Sequence, residues 1–489
     1  MIYKASIITI FLVCAVIVPT TAGLHQVAPR IKTPPNIVLI AIDTLRRDHL
    51  GCYGYKRPVS PNIDKLAAEG VLFERSYSPA SWTLPSFISM FTGLLPATHG
   101  ITQGGNQRLS AAIPTLAEHL NKKGYYCTAI VSNPCAAGKY GLSKGFDVYD
   151  DYSIHLGAEL GMFAVDYGQD LGAVNNVVTG ESVTQQAMLQ LSQAKKTGKP
   201  FFLFALYYDP HDSYIPPTPY NRRFDPEYSG KMDGKNIPAL RKRPPPARDI
   251  QNLIARYDGE IQYTDMQVGK LIRYIDKTFS PQNTIIILVS DHGEAFGEHQ
   301  MLLHGNSAYR EEVCVPMIWR WRGMLPKGHR VKNPVLNMDI AKTLSELLRL
   351  DRFTLLQGQS LWAGLMNKGN PNNRAVLSQK ACGHNSSNSH LSLTQAQYRL
   401  HIKFTKHPTD EDAKWMLFNI KKDPWEKTDI LQHNKTLAQK MFSILKKKWD
   451  ESLEIKAYYL TKGGNNKLKL SPGERRRLES MGYLNKAGN

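Results

Sequence analysis

Four apolar runs, each long enough for one strand and each closed by polar residues, constrain this chain most. They are PPNIVLIAID at 34–43, GYYCTAIVSN at 124–133, KPFFLFALYYDPHD at 199–212 and NTIIILVSDHGE at 283–294. Their interiors are rich in β-branched and aromatic residues and show little polar alternation. A strand of this kind is covered on both faces, as in a parallel sheet with helices above and below. Between the runs lie helical patterns. TLAEHLNKKG stops at Gly124, and YDGEIQYTDMQVGKLIRYIDKTF spans 257–279. The alternation predicts an α/β class, an α/β/α sandwich around a mostly parallel central sheet.

The chain has 489 residues, 42% of them hydrophobic, which suits one large domain and a smaller one. The character changes after about residue 375. RAVLSQKACG, QYRLHIKFTK and KWMLFNIKKDPWEK are short alternating runs with turns. They predict a small α+β, mainly antiparallel subdomain over 375–489, with 23–374 as the large domain. The end, LSPGERRRLESMGYLN, has Ser471 at an N-cap, Pro472 at N1, Glu474 at N3 and a stop at Gly482. That pattern is a capping box, and it predicts a basic terminal helix with a structural role. The Pro/Gly/Tyr-rich stretch 214–240 predicts a long surface excursion beside a site, or a plain insertion.

The N-terminus, MIYKASIITIFLVCAVIVPTTAG, places one lysine before an apolar run and small residues after it. This is an export signal over 1–22. The apolar run is short for a membrane span, and an uncleaved anchor is the alternative. The expected location is therefore outside the cytoplasm: secreted, periplasmic or membrane-anchored with the catalytic domain outside. Beyond Cys14 the chain has Cys52, Cys127, Cys135, Cys314 and Cys382, too few for a disulfide scaffold. Cys127 and Cys135 either pair, or Cys127 is a core residue of its strand. The net charge of +19 suits anionic surfaces, polymers or substrates. No Cys/His finger spacing and no RNA-reading aromatic motif accompanies it, so nucleic acid is not an expected partner.

Ligands of parallel sheets bind beyond the C-terminal strand ends. Asp43 ends the first run, Asp209 and His211 the third, Asp291 and His292 the fourth. Asp43 with Thr44 could equally start a helix, and His211 could satisfy a turn. Adjacent Asp291 and His292 suit a divalent cation. In SWTLPSFISMFTGLLPATHG (81–100), Thr83 lies at or just before a helix N-terminus, with Pro85 in the first turn. It is either an ordinary cap or a hydroxyl that faces anions and a metal.

Taken together, these segments resemble the sulfatase branch of the alkaline-phosphatase-like superfamily. NIVLIAIDTLRRDHLGCYGY resembles its opening strand and metal loop, and SPNIDKLAAEGVLFERSYS the helix and strand that follow. SWTLPSFISMFTGLLPATHG resembles the nucleophile motif, YYDPHDSYIPP the central histidine segment and VSDHGEAFGEHQMLLHG the second metal half-site. LFNIKKDPWEKTDI resembles the closing strand and turn. The resemblance implies one divalent metal on Asp43, Asp291 and His292, with Thr83 as nucleophile and further ligand. Thr44 stands where a second aspartate is frequent. His211 and His304 would steady the transferred group or protonate the leaving group. Asn133 falls at a substrate-contact position, and Asp48 in a supporting one. Calcium is the metal of the sulfatase branch; manganese or zinc goes with relatives that carry threonine.

One departure decides the expected chemistry. The usual motif has Cys or Ser, then Pro two residues on and Arg four residues on, and its Cys or Ser is oxidised to formylglycine. Here the residues are Thr83, Pro85 and Phe87. A secondary alcohol yields only a ketone, so no formylglycine is expected. The expected activity is hydrolysis of an anionic ester (phosphate ester or diester, or phosphonate) by the unmodified Thr83 hydroxyl. A sulfuric ester hydrolase is the alternative, and a non-catalytic binding protein on the same scaffold is the third reading. The substrate would be an anionic ester, a polymer or lipid head group among the candidates, with membrane contact only through the N-terminal segment.

Overall fold

The computed structural model describes residues 31–463 apart from 32, 103–106, 152–179, 236, 238–239, 241–244, 351–355, 369–373 and 381–388. The N-terminal segment expected to serve export, the terminal capping-box sequence and Cys382 lie outside the described residues. Eleven strands come first: β1 (Asn36–Ile42), β2 (Val71–Phe73), β3 (Ser76–Tyr77), β4 (Tyr126–Val131), β5 (Val148–Asp150), β6 (Phe201–Tyr207), β7 (Thr284–Val289), β8 (Ala295–Phe296), β9 (Leu302–Leu303), β10 (Met317–Arg320) and β11 (His329–Val331). Eight of them form one sheet in the order β11-β2-β10-β7-β1-β6-β4-β5. Only β10 runs against its neighbours, β2 and β7. The four predicted runs are β1, β4, β6 and β7, adjacent in the centre of this sheet.

Alternation along β1 divides the core. Ile37, Leu39 and Ala41 face one layer, which includes Leu84, Phe87, Ile88 and Phe91 of the helix Thr83–Thr92. Val38, Ile40 and Ile42 face the other, which includes Leu253, Tyr257, Ile261 and Val268 of the helix Ala247–Thr278. That helix starts ten residues before the pattern read from 257. Cys127 is buried in β4 with Sγ 3.7 Å from Ala117 O, and no disulfide is present among the described residues. Of its two readings, the structure takes the core residue. The stretch 214–235 contains no strand and one short turn of 3-10 helix at Tyr220–Arg222.

Past β12 (Val335–Leu336), a second sheet holds β13 (Val376–Gln379), β14 (Ser389–Gln395), β15 (Tyr398–Phe404) and β16 (Lys414–Asn419), all antiparallel. The helix Lys435–Gly463 follows. This sheet is tied to the segment before Thr83. Gln379 N donates to Pro79 O (3.0 Å), Ser81 N to Gln379 O (3.2 Å), and Ser378 Oγ to Ser78 O (2.6 Å).

Phe87 is fully buried, with its ring edge-on to Phe204 at 5.5 Å between centroids. The position that carries arginine in the usual motif is therefore core here. Phe87→Ala should cost about 3–5 kcal/mol in urea unfolding. Phe87→Arg should destabilise at least as much, since its charge would be buried in an apolar layer. A loss below about 1 kcal/mol for both would show that the site tolerates polarity.

Candidate metal and nucleophile site

Three strand ends meet at one point. Backbone hydrogen bonding continues past β1, where Asp43 N donates to Tyr207 O (2.9 Å). The turn after it is clamped by Tyr257, whose hydroxyl donates to Thr44 O (2.8 Å) and accepts from Arg46 N (2.9 Å). At the end of β7, Ser290 Oγ accepts from Leu45 N (3.0 Å) and donates to His292 O (2.7 Å). Asp291 Oδ1 accepts from His292 N at 2.9 Å and Thr44 N at 3.3 Å. Gly293 is required by close approach: a Cβ there would lie 2.1 Å from Glu311 O.

The helix Thr83–Thr92 brings the hydroxyl. Its N-cap is Trp82, with no side-chain capping bond, so Thr83 is the first helical residue rather than the cap. A cap at 83 would accept from the N–H of 85 or 86; Pro85 has none, and Ser86 N donates to Trp82 O (3.2 Å). Thr83 Oγ1 instead stands 3.1 Å from His292 Nε2. Ser86, one turn on, donates to Asp291 O (2.7 Å) and locks the helix to the end of β7. Asn337 Nδ2 reaches Ser290 O (3.2 Å) and Ser86 Oγ (3.3 Å) from behind.

Ligating atoms of Asp43, Asp291 and His292 all lie within 4.8 Å of one another, and the three residues are buried. Among the described residues, Asp43 Oδ1, Asp291 Oδ2 and Thr44 Oγ1 have no hydrogen-bond partner. Buried carboxylate oxygens left in this state are costly, and a divalent cation satisfies them. His292 donates from Nδ1 to Gly293 O (3.0 Å), which turns the Nε2 lone pair toward the acids. The residues present therefore fit a divalent cation. Thr44 holds a left-handed backbone conformation, φ 51°.

The other expected residues are placed as follows. His304 stacks near His292 (ring centroids 4.4 Å) and His211 (4.9 Å), so three imidazoles line one side. His211 Nδ1 is 2.8 Å from Asp212 O, and His304 Nδ1 is 3.0 Å from Glu294 Oε1. Asn133, expected at the substrate, has both ends of its amide engaged in the fold: Nδ2 donates to Asp43 Oδ2 and Oδ1 accepts from Cys135 N (2.7 Å). It thereby positions the Asp43 carboxylate. Asp48 pairs with buried Arg46 (2.9 Å), a supporting place. Glu294 and Asp212, which anchor the outer histidines, were missed as site residues. Their signal was adjacency, in DHGE and DPHD. Asp209 points away, accepting from Gly180 N (3.0 Å).

Burial, and then the neighbouring Asp291 charge, raise the Asp43 carboxyl well above its ordinary range; burial also raises Asp291. Burial pushes His292 down to about 4, so it is a neutral ligand at neutral pH. The sign for the acids follows. A carboxyl raised by folding stabilises the metal-free fold below its unfolded value, and that stability is lost as pH rises through the raised value. A cation takes the proton's place. The gain in Tm of metal-loaded over chelated protein should therefore grow from about pH 5 to about pH 8, with proton release on binding. Scanning fluorimetry across pH and calorimetry in two buffers measure these; a flat gain with no proton release would contradict the assignment.

Comparison with known proteins agrees with this architecture. The sulfatase family profile matches residues 35–350, and that of the N-sulphoglucosamine sulphohydrolase C-terminal region matches 297–454. The chain is 26% identical over 446 residues to an arylsulfatase of Clostridium perfringens, covering 81% of this chain and 90% of that one. In fold it is similar to the phosphonate monoester hydrolase of Agrobacterium radiobacter (TM-score 0.66, 20% identity, 90% and 100% coverage). It is likewise similar to a protein solved with its substrate D-glucosamine-2-N,6-O-disulfate (TM-score 0.65, 18% identity, 86% and 99% coverage). The first profile match runs through the strand ends and the helix that assemble the site, and the chain belongs to the sulfatase family.

Proposed function

We propose that this protein is a metal-dependent hydrolase of phosphoryl-type anionic esters, phosphate esters or diesters or phosphonates, with the Thr83 hydroxyl itself as nucleophile. The observation that carries this is Thr83 Oγ1 at 3.1 Å from His292 Nε2, at a helix N-terminus beside two buried acids. No oxidisable primary alcohol or thiol stands at 83, and Phe87 fills the motif's arginine position. No formylglycine is needed or formed on this reading.

Asp43, Asp291 and His292 would hold the cation, with Thr44 and Thr83 as hydroxyl donors. When bound, the cation supplies positive charge that favours ionisation of a hydroxyl and neutralises an anionic ester. Two carboxylates, hydroxyls and one imidazole admit calcium, manganese or zinc. The helix N-terminus adds N–H groups toward the ester oxygens. Thr83 Oγ bonds to phosphorus as the bond to the leaving oxygen breaks, in line. The proton that Thr83 sheds equals the one the leaving oxygen needs. His211 or His304 relays it, since burial lowers His211 and leaves it neutral and able to accept. Water then attacks phosphorus and gives a proton to the same ring, and the Thr83 oxygen leaves and takes that proton up.

A second reading, hydrolysis of a sulfuric ester, is favoured by the arylsulfatase relative and by the disulfated substrate of the fold neighbour. That neighbour and the charge of +19 also support a sugar or polymer that carries anionic groups. The N-terminal pattern of charge, apolar run and small residues supports an exported protein.

Brief incubation with an aryl phosphate diester and with an aryl sulfate, followed by peptide mass analysis, separates the readings. The expected result is a phosphoryl adduct on Thr83 and aryl release from the phosphate diester. Thr83→Ala should lose at least about 10³-fold in kcat, and Thr83→Ser should keep measurable turnover. Release from the sulfate alone would establish the second reading. Full turnover by Thr83→Ala would exclude covalent catalysis at this residue.

A further inference from the structure

A cavity of about 420 Å³ lies where the central sheet meets the C-terminal sheet, and six cations line it: Arg47, Arg75, Arg310, Lys332, Arg399 and Lys421. Its size is that of a small-molecule site, roughly 300–1,000 Å³. The one acid in the lining is Glu74, which already pairs with Arg330 at 2.7 Å. Arg399 is offset by Glu426 (2.8 Å), and Arg310 reaches Asp48 only at 3.5 Å, an acid that Arg46 holds at 2.9 Å. Among the described residues, no carboxylate forms an ion pair with Arg47, Arg75, Lys332 or Lys421.

Neutral groups hold two of these charges in place. Arg47 Nη1 donates to Glu74 O (2.5 Å), and Arg75 donates to Ala396 O. A carbonyl fixes the guanidinium without cancelling its charge. Arg47 and Arg399 also lie over the Tyr77 ring, at 5.8 and 4.8 Å from its centroid. Like charges gathered around one solvent-open cavity repel, and a bound anion relieves the repulsion. Planar guanidinium forks match the oxygens of sulfate and phosphate.

We propose that this cavity is a second anion-binding site, separate from the reaction centre, which takes an oxyanion group, sulfate or phosphate ester, of a polyanionic ligand. Its place in the chain connects it to the reaction centre. Arg47 follows Asp43 by four residues, so their Cα atoms lie within roughly 15 Å. Arg75 precedes Thr83, and Arg310 follows His304, each by a few residues. The three segments that build the reaction centre also build the cavity wall. The anion's source is either a further charged group on the hydrolysed chain or a free anion. The binding site stands without the function proposed above; only the first source rests on it.

The test uses inositol hexasulfate, a compact carrier of sulfate groups that chelates metals weakly, with the full chain in calorimetry. The variants are Arg75→Ala with Lys332→Ala, and Lys332→Glu with Lys421→Glu, none of them at the reaction centre. Both should keep the wild-type Tm within a few degrees and bind the probe at least tenfold more weakly. Steady-state rates on a singly charged aryl ester and on a multiply sulfated or phosphorylated oligosaccharide identify the source. A KM raised tenfold for the oligosaccharide alone assigns the site to the substrate chain. Loss of probe binding with both KM values unchanged assigns it to a free anion. Wild-type affinity in both folded variants, or no binding by the wild type at millimolar probe, would overturn the proposal. Failure of the aryl ester to react bears on the proposed function and leaves the binding measurement intact.

Discussion

Two carboxylates buried side by side at the ends of β1 and β7 are the constraint on which the rest of the site depends. Asp43 and Asp291 are both fully enclosed, and each keeps an oxygen that receives no hydrogen bond. Neither burial nor mutual repulsion favours their charged forms. The fold maintains them by fixing everything around them. Asn133 holds the other oxygen of Asp43, backbone N–H groups of Thr44 and His292 hold Asp291, and Tyr257 pins the connecting turn. A divalent cation would fit this arrangement, and His292, neutral at neutral pH, lies where it could share it.

The strand ends were legible because burial on both faces leaves an unmistakable apolar run, and because three of the runs close on an acid with a histidine or threonine beside or near it. The central four strands were read directly for that reason. What was not legible depends on long-range contact. β10 runs antiparallel between β7 and β2, and nothing local marks a reversal of direction. The docking of β13 on Pro79 and Ser81 is two backbone bonds between residues about three hundred apart. Asn133 stands where the family resemblance implies a substrate contact. Its hydrogen bonds to Asp43 and from Cys135 N come from the turn geometry, which no spacing encodes. Glu294 and Asp212 lay beside recognised residues, but their direction of contact is a matter of side-chain rotamer.

Thr83 shows how a structure narrows a choice that spacing leaves open. Threonine at a helix start is commonly a cap, and the cap's acceptor would serve an N–H two or three residues on. Pro85 removes one of those donors, and Ser86 N is bonded to Trp82 O. Trp82 occupies the cap position with no side-chain bond of its own. The hydroxyl is left to face His292. Phe87 completes the point one turn further along the same helix. In little more than one turn the chain passes from the hydroxyl at the site to a phenyl ring in the core, so the site's charge must come from elsewhere.

That charge has an unusual distribution, and it bears on how an anion could be retained. The candidate site holds more acid than base among its own side chains, since burial lowers His292 and His211 and disfavours their charged forms. An anionic ester therefore meets a favourable field there only once a cation is present. The cavity of Arg47, Arg75 and Arg310 is positive without any metal, and the segments that form it are continuous with those that carry Asp43, Thr83 and His304. Charge that is permanent beside charge that is conditional gives a division of labour. On the two proposals above, the permanent cations would capture an anionic chain over a range of metal concentration, while the conditional charge would set when the bond is cut. Because both walls hang on the same three segments, anything that reshapes one segment would then move both functions together.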